Sequence, residues 1–69
     1  MARDVPIRGD VIRLGQLLKL TGLAASGGEA RALLKAGVVT VNEQAEGRRG
    51  RQLRRGDLVA VGDEVVRVA

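Results

Sequence analysis

The chain has 69 residues, 45% of them hydrophobic and none of them Phe, Tyr, Trp, His or Cys, and it carries a net charge of +4 with a pI of about 11.1. These figures exclude a second domain of ordinary size, a disulfide or thiolate metal site, and catalysis by the commonest general bases and nucleophiles. What remains is one domain over residues 1–69 with a small core of Leu, Val, Ile and Ala, since so short a chain buries only about 60% of the surface its unfolded form exposes.

Residues 5–8 alternate apolar and polar, but Pro6 cannot donate to a ladder, so a strand there belongs at a sheet edge. Gly9-Asp10 signals a turn. Val11-Ile12 then lead into a helix predicted over residues 14–20, where Leu14, Leu17 and Leu18 have the i, i+3, i+4 spacing of one buried face. Arg13 stands just before this helix, Lys19 falls on its polar side, and Gly22 suits the position just past its end.

A second helix has a legible start. Ser26-Gly27-Gly28-Glu29 is a capping box, in which the Ser26 hydroxyl accepts the Glu29 backbone N–H while the Glu29 carboxylate reaches back. Ala30, Leu33 and Leu34 form its apolar stripe, Arg31 and Lys35 lie together on the outer face, and Gly37 terminates it. The period then changes from 3.6 to 2. Residues 38–41 are β-branched throughout and read as a strand, Asn42-Glu43 occupy a two-residue turn, and Gln44-Ala45 begin the return. Residues 46–55 are polar, basic and glycine-punctuated, a loop with Leu53 as its one anchor. After a turn at Gly56-Asp57, residues 58–61 and 65–68 make two strands joined by Gly62-Asp63-Glu64. The sum is α+β: a helical hairpin packed on a small, mostly antiparallel sheet.

The charge is concentrated. Residues 31–55 hold Arg31, Lys35, Arg48, Arg49, Arg51, Arg54 and Arg55 against Glu43 and Glu46, a net +5, whereas residues 56–69 carry −2. Ten of the twelve cations are arginine, which stays charged at any relevant pH and can hold a phosphate through two parallel hydrogen bonds. An isolated charge run is ordinarily a solvated loop. Here five of the eight residues from Arg48 to Arg55 are arginine, and the like charges repel one another in a way that a bound polyanion reverses. With Arg31 and Lys35 on the adjoining helix, the pattern is that of a nucleic-acid surface. The absence of aromatic rings counts against recognition by base stacking. It favours backbone geometry and 2′-hydroxyls, as in structured RNA.

Other features read as structural. Ser26 has no candidate base nearby and a sufficient role as a cap. Glu43 and Glu46 read as solvated hairpin ends rather than an acid/base pair. Gly27-Gly28 relaxes the connection between helices; alternatively, it leaves backbone N–H groups open to a phosphate, although the charge of Glu29 opposes a close anion. Neither a P-loop nor a dinucleotide fingerprint is present, and no metal-ligand spacing occurs. Nothing calls for a cofactor or a small-molecule substrate. The first ten residues contain no apolar run of signal-peptide length, and no run of roughly 18 apolar residues occurs anywhere, so the sequence reads as soluble and cytoplasmic, with no membrane partner.

The run IRLGQLLKLTGLAASGGEARALLKAGVVTVN followed by RRGRQLRRGDLV resembles the S-four RNA-binding domain, or alpha-L motif. The resemblance is strongest to its small stand-alone bacterial members and spans residues 12–61. It rests on Arg13-Leu14, on Ser26 with Ala30-Arg31, on Gly37-x-Val39-x-Val41-Asn42, and on Leu53-x-x-Gly56-Asp57. It implies a helical hairpin against a small curved sheet, with RNA in the groove between the second helix and the following strand-loop. Carried over by position, the implied contacts are Arg13, Arg31, Lys35, Arg48, Arg49 and Arg51, with Arg54 and Arg55 beside the Gly56-Asp57 turn. Two departures stand out: Glu43 occupies a place where many members have glycine, and Gly27-Gly28 replace an arginine that larger members carry. The implied role is non-catalytic binding of structured RNA, ribosomal or transfer, by a ribosome-associated protein. The alternative is an adaptor for an acidic protein partner.

Overall fold

The β-branched runs form strands and the leucine-striped runs form helices in a computed structural model that describes residues 2–69. The order is β1 (Arg3–Val5), β2 (Val11–Arg13), α1 (Leu14–Leu20), α2 (Gly27–Lys35), β3 (Val39–Val41), β4 (Gln44–Ala45), β5 (Gln52–Arg54), β6 (Leu58–Val61) and β7 (Glu64–Val68). One sheet runs β1-β7-β6-β3-β4, and a separate two-stranded ribbon pairs β2 with β5. All pairings are antiparallel except β1 with β7, where Arg3, Asp4 and Val5 lie opposite Val66, Arg67 and Val68. The expected α+β class is the observed one.

Local chemistry contributes to each helix start. At α2 the Ser26 Oγ accepts the Glu29 backbone N–H at 3.1 Å, so half of the expected capping box is in place. The reciprocal arm appears instead at α1, where the Gln16 Oε1 accepts the Arg13 backbone N–H at 3.4 Å. Both helices end as expected on glycines in the left-handed region, Gly22 (φ 79°) and Gly37 (φ 77°).

The apolar stripes of the two helices meet the inner face of the sheet in one core. Leu14, Leu17, Leu18, Ala24, Ala30 and Leu34 pack with Val5, Val39, Val41, Val59, Val66 and Val68, and Leu53 of the ribbon joins them. All are aliphatic, so the core is filled by many small side chains rather than a few large ones. Leu33 sits at its margin, half-buried.

Two expectations need correction. The first strand lies at Arg3–Val5 and stops before Pro6, rather than covering residues 5–8. It is an edge strand, as expected, but parallel to β7. Residues 46–55 are not wholly a loop either: Gln52–Arg54 form β5, with Ile12 opposite Leu53. Leu53 is fully buried and so anchors a strand pair, which fixes where the preceding arginines begin.

The turn between β3 and β4 has both Asn42 (φ 51°) and Glu43 (φ 71°) in the left-handed region. This is the pattern of a type I′ hairpin, which prefers Asn then Gly. Asn42 is well placed there: its side chain donates to Asp57 Oδ1 at 3.1 Å and accepts the Leu58 N–H at 3.0 Å. Glu43 has only the strain.

Candidate nucleic-acid interface

The arginine-rich segment between β4 and β5 does not hang free. Its backbone completes the start of α1, because the Leu14 N–H donates to the Arg51 carbonyl at 2.8 Å and the Gly15 N–H to the Arg49 carbonyl at 2.9 Å. These are helix-terminal donors that otherwise lack a partner. Contact with α1 is so close that a Cβ at Gly15 would stand 2.7 Å from Arg49 Cγ. At its other end the segment passes α2, where a Cβ at Gly47 would lie 3.8 Å from the Leu34 carbonyl oxygen. The loop therefore bridges the two helices.

Where loop and helices meet, an open pocket of about 390 Å³ is lined by Arg13, Gly15, Gln16, Lys19, Gly27, Ala30, Arg49 and Gly50. Its charged groups come from three places: Arg13 from the end of β2, Lys19 from α1 and Arg49 from the loop. All three are cations. The glycines and Ala30 keep the floor low, so a bulky anion can approach. The sequence does not single out Lys19 or Gln16 as contacts, and offers Gly27 as one only through its backbone. Lys19 lies six residues beyond Arg13 and becomes its neighbour only when α1 is formed and the loop closes over it.

The other cations of residues 31–55 divide into three groups. Arg31 and Lys35 are exposed on α2 and make no ion pair among the described residues. Arg31 follows Gly27 by four residues and so shares its side of the helix. Arg54 and Arg55 lie at the far end of β5. Asp57 Oδ2 accepts the Arg54 backbone N–H at 2.8 Å, and the Arg55 side chain reaches Asp10 at 3.5 Å. Arg48 and Arg51 converge on Glu46. Its Oε2 accepts Arg48 Nε at 3.1 Å, and its Oε1 accepts Arg51 Nη1 at 2.8 Å and Arg48 Nη2 at 3.2 Å.

Glu46 therefore departs from the expectation of a solvated hairpin end, which Glu43 meets. The residue is only 8% exposed, and its oxygens also accept the Arg48 backbone N–H at 3.1 Å. The Arg48 and Arg51 hydrogen bonds hold its carboxyl down at about 2, below the usual 4.5. The same contact raises the Arg48 guanidinium. A carboxylate held low stabilises the fold fully above its ordinary pKa, and that contribution fades as the pH falls towards 2. Nothing in the composition marks this acid apart from its neighbours; its backbone is held in place as well, the Glu46 N–H donating to the Val39 carbonyl at 3.0 Å.

The chain belongs to the S4 domain family, whose model matches residues 5–69. Among characterised sequences it is similar to the "Probable ribosome maturation protein RlbA" of Bacillus subtilis (strain 168). The two are 43% identical over 61 residues, covering 88% of this chain and 86% of that protein. No helix among the described residues is long and apolar enough to cross a membrane, and no group of potential metal ligands occurs among them.

Proposed function

We propose that this chain is a non-catalytic, cytoplasmic RNA-binding module that engages structured RNA, ribosomal or transfer, through the pocket between the helices and the basic surfaces around it. The observation that carries this reading is the convergence of Arg13, Lys19 and Arg49 on one open pocket, with Arg48 and Arg51 in the adjoining loop and Arg31 exposed on α2. Cations spread over a pocket, a loop and a helix face suit an extended polyanion better than a single small ligand. Membership of the S4 domain family supports the reading, and the name of the Bacillus relative points to the ribosome as the place to look.

The geometry supports a role for each cation in this reading. Arg13 and Arg49 reach the pocket from strand and loop, Lys19 supplies a point charge on its wall, and Arg31 and Lys35 extend the surface along α2. Arg48 and Arg51 present donors from the loop, while Arg54 and Arg55 carry the charge towards the Gly56-Asp57 turn.

Binding to a ribosomal RNA fragment and to a transfer RNA, each titrated with salt, tests this. Affinity should fall with a log–log slope of about −0.7 to −0.9 per phosphate neutralised. Replacing Arg48, Arg49 and Arg51 together by Ala should flatten the slope while the fold persists. An unchanged slope in the folded triple variant removes the loop from the interface. A protein partner that survives nuclease treatment, with no RNA bound, overturns the reading in favour of an adaptor.

A further inference from the structure

An acid inside a surface that binds a polyanion ought to weaken it, since it adds a like charge beside the phosphates. The placement of Glu46 suggests the opposite outcome. Building on the RNA reading, we infer that Glu46 is a positioning residue, an acid that raises affinity for RNA by holding Arg48 and Arg51 in a fixed presentation.

The carboxylate does not face outward. Oε2 takes the Arg48 N–H and Nε, and Oε1 takes Arg48 Nη2 and Arg51 Nη1. Its charge is directed into two guanidinium groups, and the residue is anchored on β3 through the Val39 carbonyl. The arginines are not used up by this. Arg48 Nη1 and Arg51 Nε and Nη2 make no hydrogen bond among the described residues, so each guanidinium keeps donors for a second acceptor. The Arg48 side chain remains 76% exposed and that of Arg51 34%. Arg51 is further fixed because its carbonyl holds the Leu14 N–H, and Arg49 lies between the two with its carbonyl on Gly15.

Arginine is a long, rotamer-rich side chain, and ordering it when RNA arrives subtracts from affinity. In this loop the ordering is already done. Mutual repulsion among the loop's cations would otherwise drive Arg48 and Arg51 apart; one shared counter-charge draws them together with their free edges available. Preorganisation and charge thus oppose each other in sign at Glu46, and the variants below separate them.

The full chain is used throughout, with a ribosomal RNA fragment as probe. Glu46→Gln raises the net charge by one yet should bind about 3- to 10-fold more weakly, from the ordering of one or two side chains. Asp63→Asn, the same charge change on the remote β6–β7 turn, should bind as well as wild type or better. Glu46→Asp keeps the charge but withdraws the carboxylate by one methylene, and should also lose affinity; that loss comes with no change in net charge. In a background where Arg48 and Arg51 are both Ala, Glu46→Gln should cause no further loss. Nitrogen-15 spectra of the free protein give a readout independent of RNA: the Arg48 Nε–H should be rotationally restricted in wild type and averaged in Glu46→Gln. A folded Glu46→Gln or Glu46→Asp protein that binds as tightly as wild type overturns the inference, as does an Arg48 Nε–H signal that the substitution leaves unchanged. Wild type failing to bind RNA removes the functional reading and this role with it. That result is distinct from a wild type that binds and variants that bind no worse.

Discussion

The two basic surfaces of this protein, the loop between β4 and β5 and the outer face of α2, look alike in sequence and are built differently. Arg31 and Lys35 project from a helix whose stability comes from the opposite stripe, Ala30 and Leu34 in the core and Leu33 beside it. They are additions to a finished element. The loop arginines belong to a segment that the fold itself uses: carbonyls of Arg49 and Arg51 complete α1, Glu46 joins Arg48 to Arg51, and Leu53 seals the end in the core. Charge on a helix face can be changed without touching stability. Charge in this loop is coupled to it.

That contrast can be broken most directly at the loop's anchor. Leu53→Ala empties a fully buried position beneath the β2–β5 ribbon and should cost about 2–5 kcal/mol, read as a lower urea midpoint. If the loop is coupled as described, RNA affinity falls in the same variant even though no cation is lost. Next comes Gly15→Ala. Its new methyl group would sit 2.7 Å from Arg49 Cγ, so the Arg49 side chain must leave its present position against α1, at a cost of about 1–3 kcal/mol with weaker binding. Normal stability and affinity in this variant would show that the Arg49 side chain moves aside freely.

Glu43→Gly provides the converse, in a turn that precedes the loop. It relieves a non-glycine residue at φ 71° and should stabilise the protein by roughly 1 kcal/mol, read as a rise in thermal midpoint, with RNA affinity little changed. Smallest in stability terms is the double change of Arg31 and Lys35 to Ala, expected to stay within about 0.5 kcal/mol of wild type while weakening RNA binding. A large destabilisation there would erase the distinction between the two surfaces. The last expectation concerns pH. Because Glu46 titrates at about 2 in the folded protein instead of 4.5, the stability difference between wild type and Glu46→Gln should be constant above that upper value and shrink steadily below it. A difference unaltered down to pH 2 would mean that the carboxylate's charge is not what holds the arginines.

Much of this was legible in the sequence because it rests on short-range signals. The Leu14, Leu17, Leu18 stripe, the Ser26 cap, the β-branched third strand and the turns at residues 42–43 and 56–57 are all set by residues within one or two turns of each other. So was the resemblance that places the chain in its family. The parts that were missed depend on partners far away in the chain. Gln52–Arg54 looks like loop because only Leu53 is apolar, and it becomes a strand only when Val11–Arg13 lies beside it. The parallel partner of Arg3–Val5 is some sixty residues distant. At the candidate site the arginines were visible as charge, but Lys19 joins Arg13 and Arg49 only across the closed loop. Glu46 could not be told from Glu43 by spacing, since what separates them is the folded loop that brings Arg48 and Arg51 onto one carboxylate and not the other.

The side-by-side run of β1 and β7 also determines how the molecule would bear a mechanical load. Because these terminal strands point the same way, tension applied between residue 2 and residue 69 acts along their shared seam. The bonds of that seam, with the Asp4–Arg67 ion pair beside them, would be strained together in shear instead of opening one after another. Force directed through the chain ends should therefore meet its main resistance there, on strands that carry none of the arginines of the pocket.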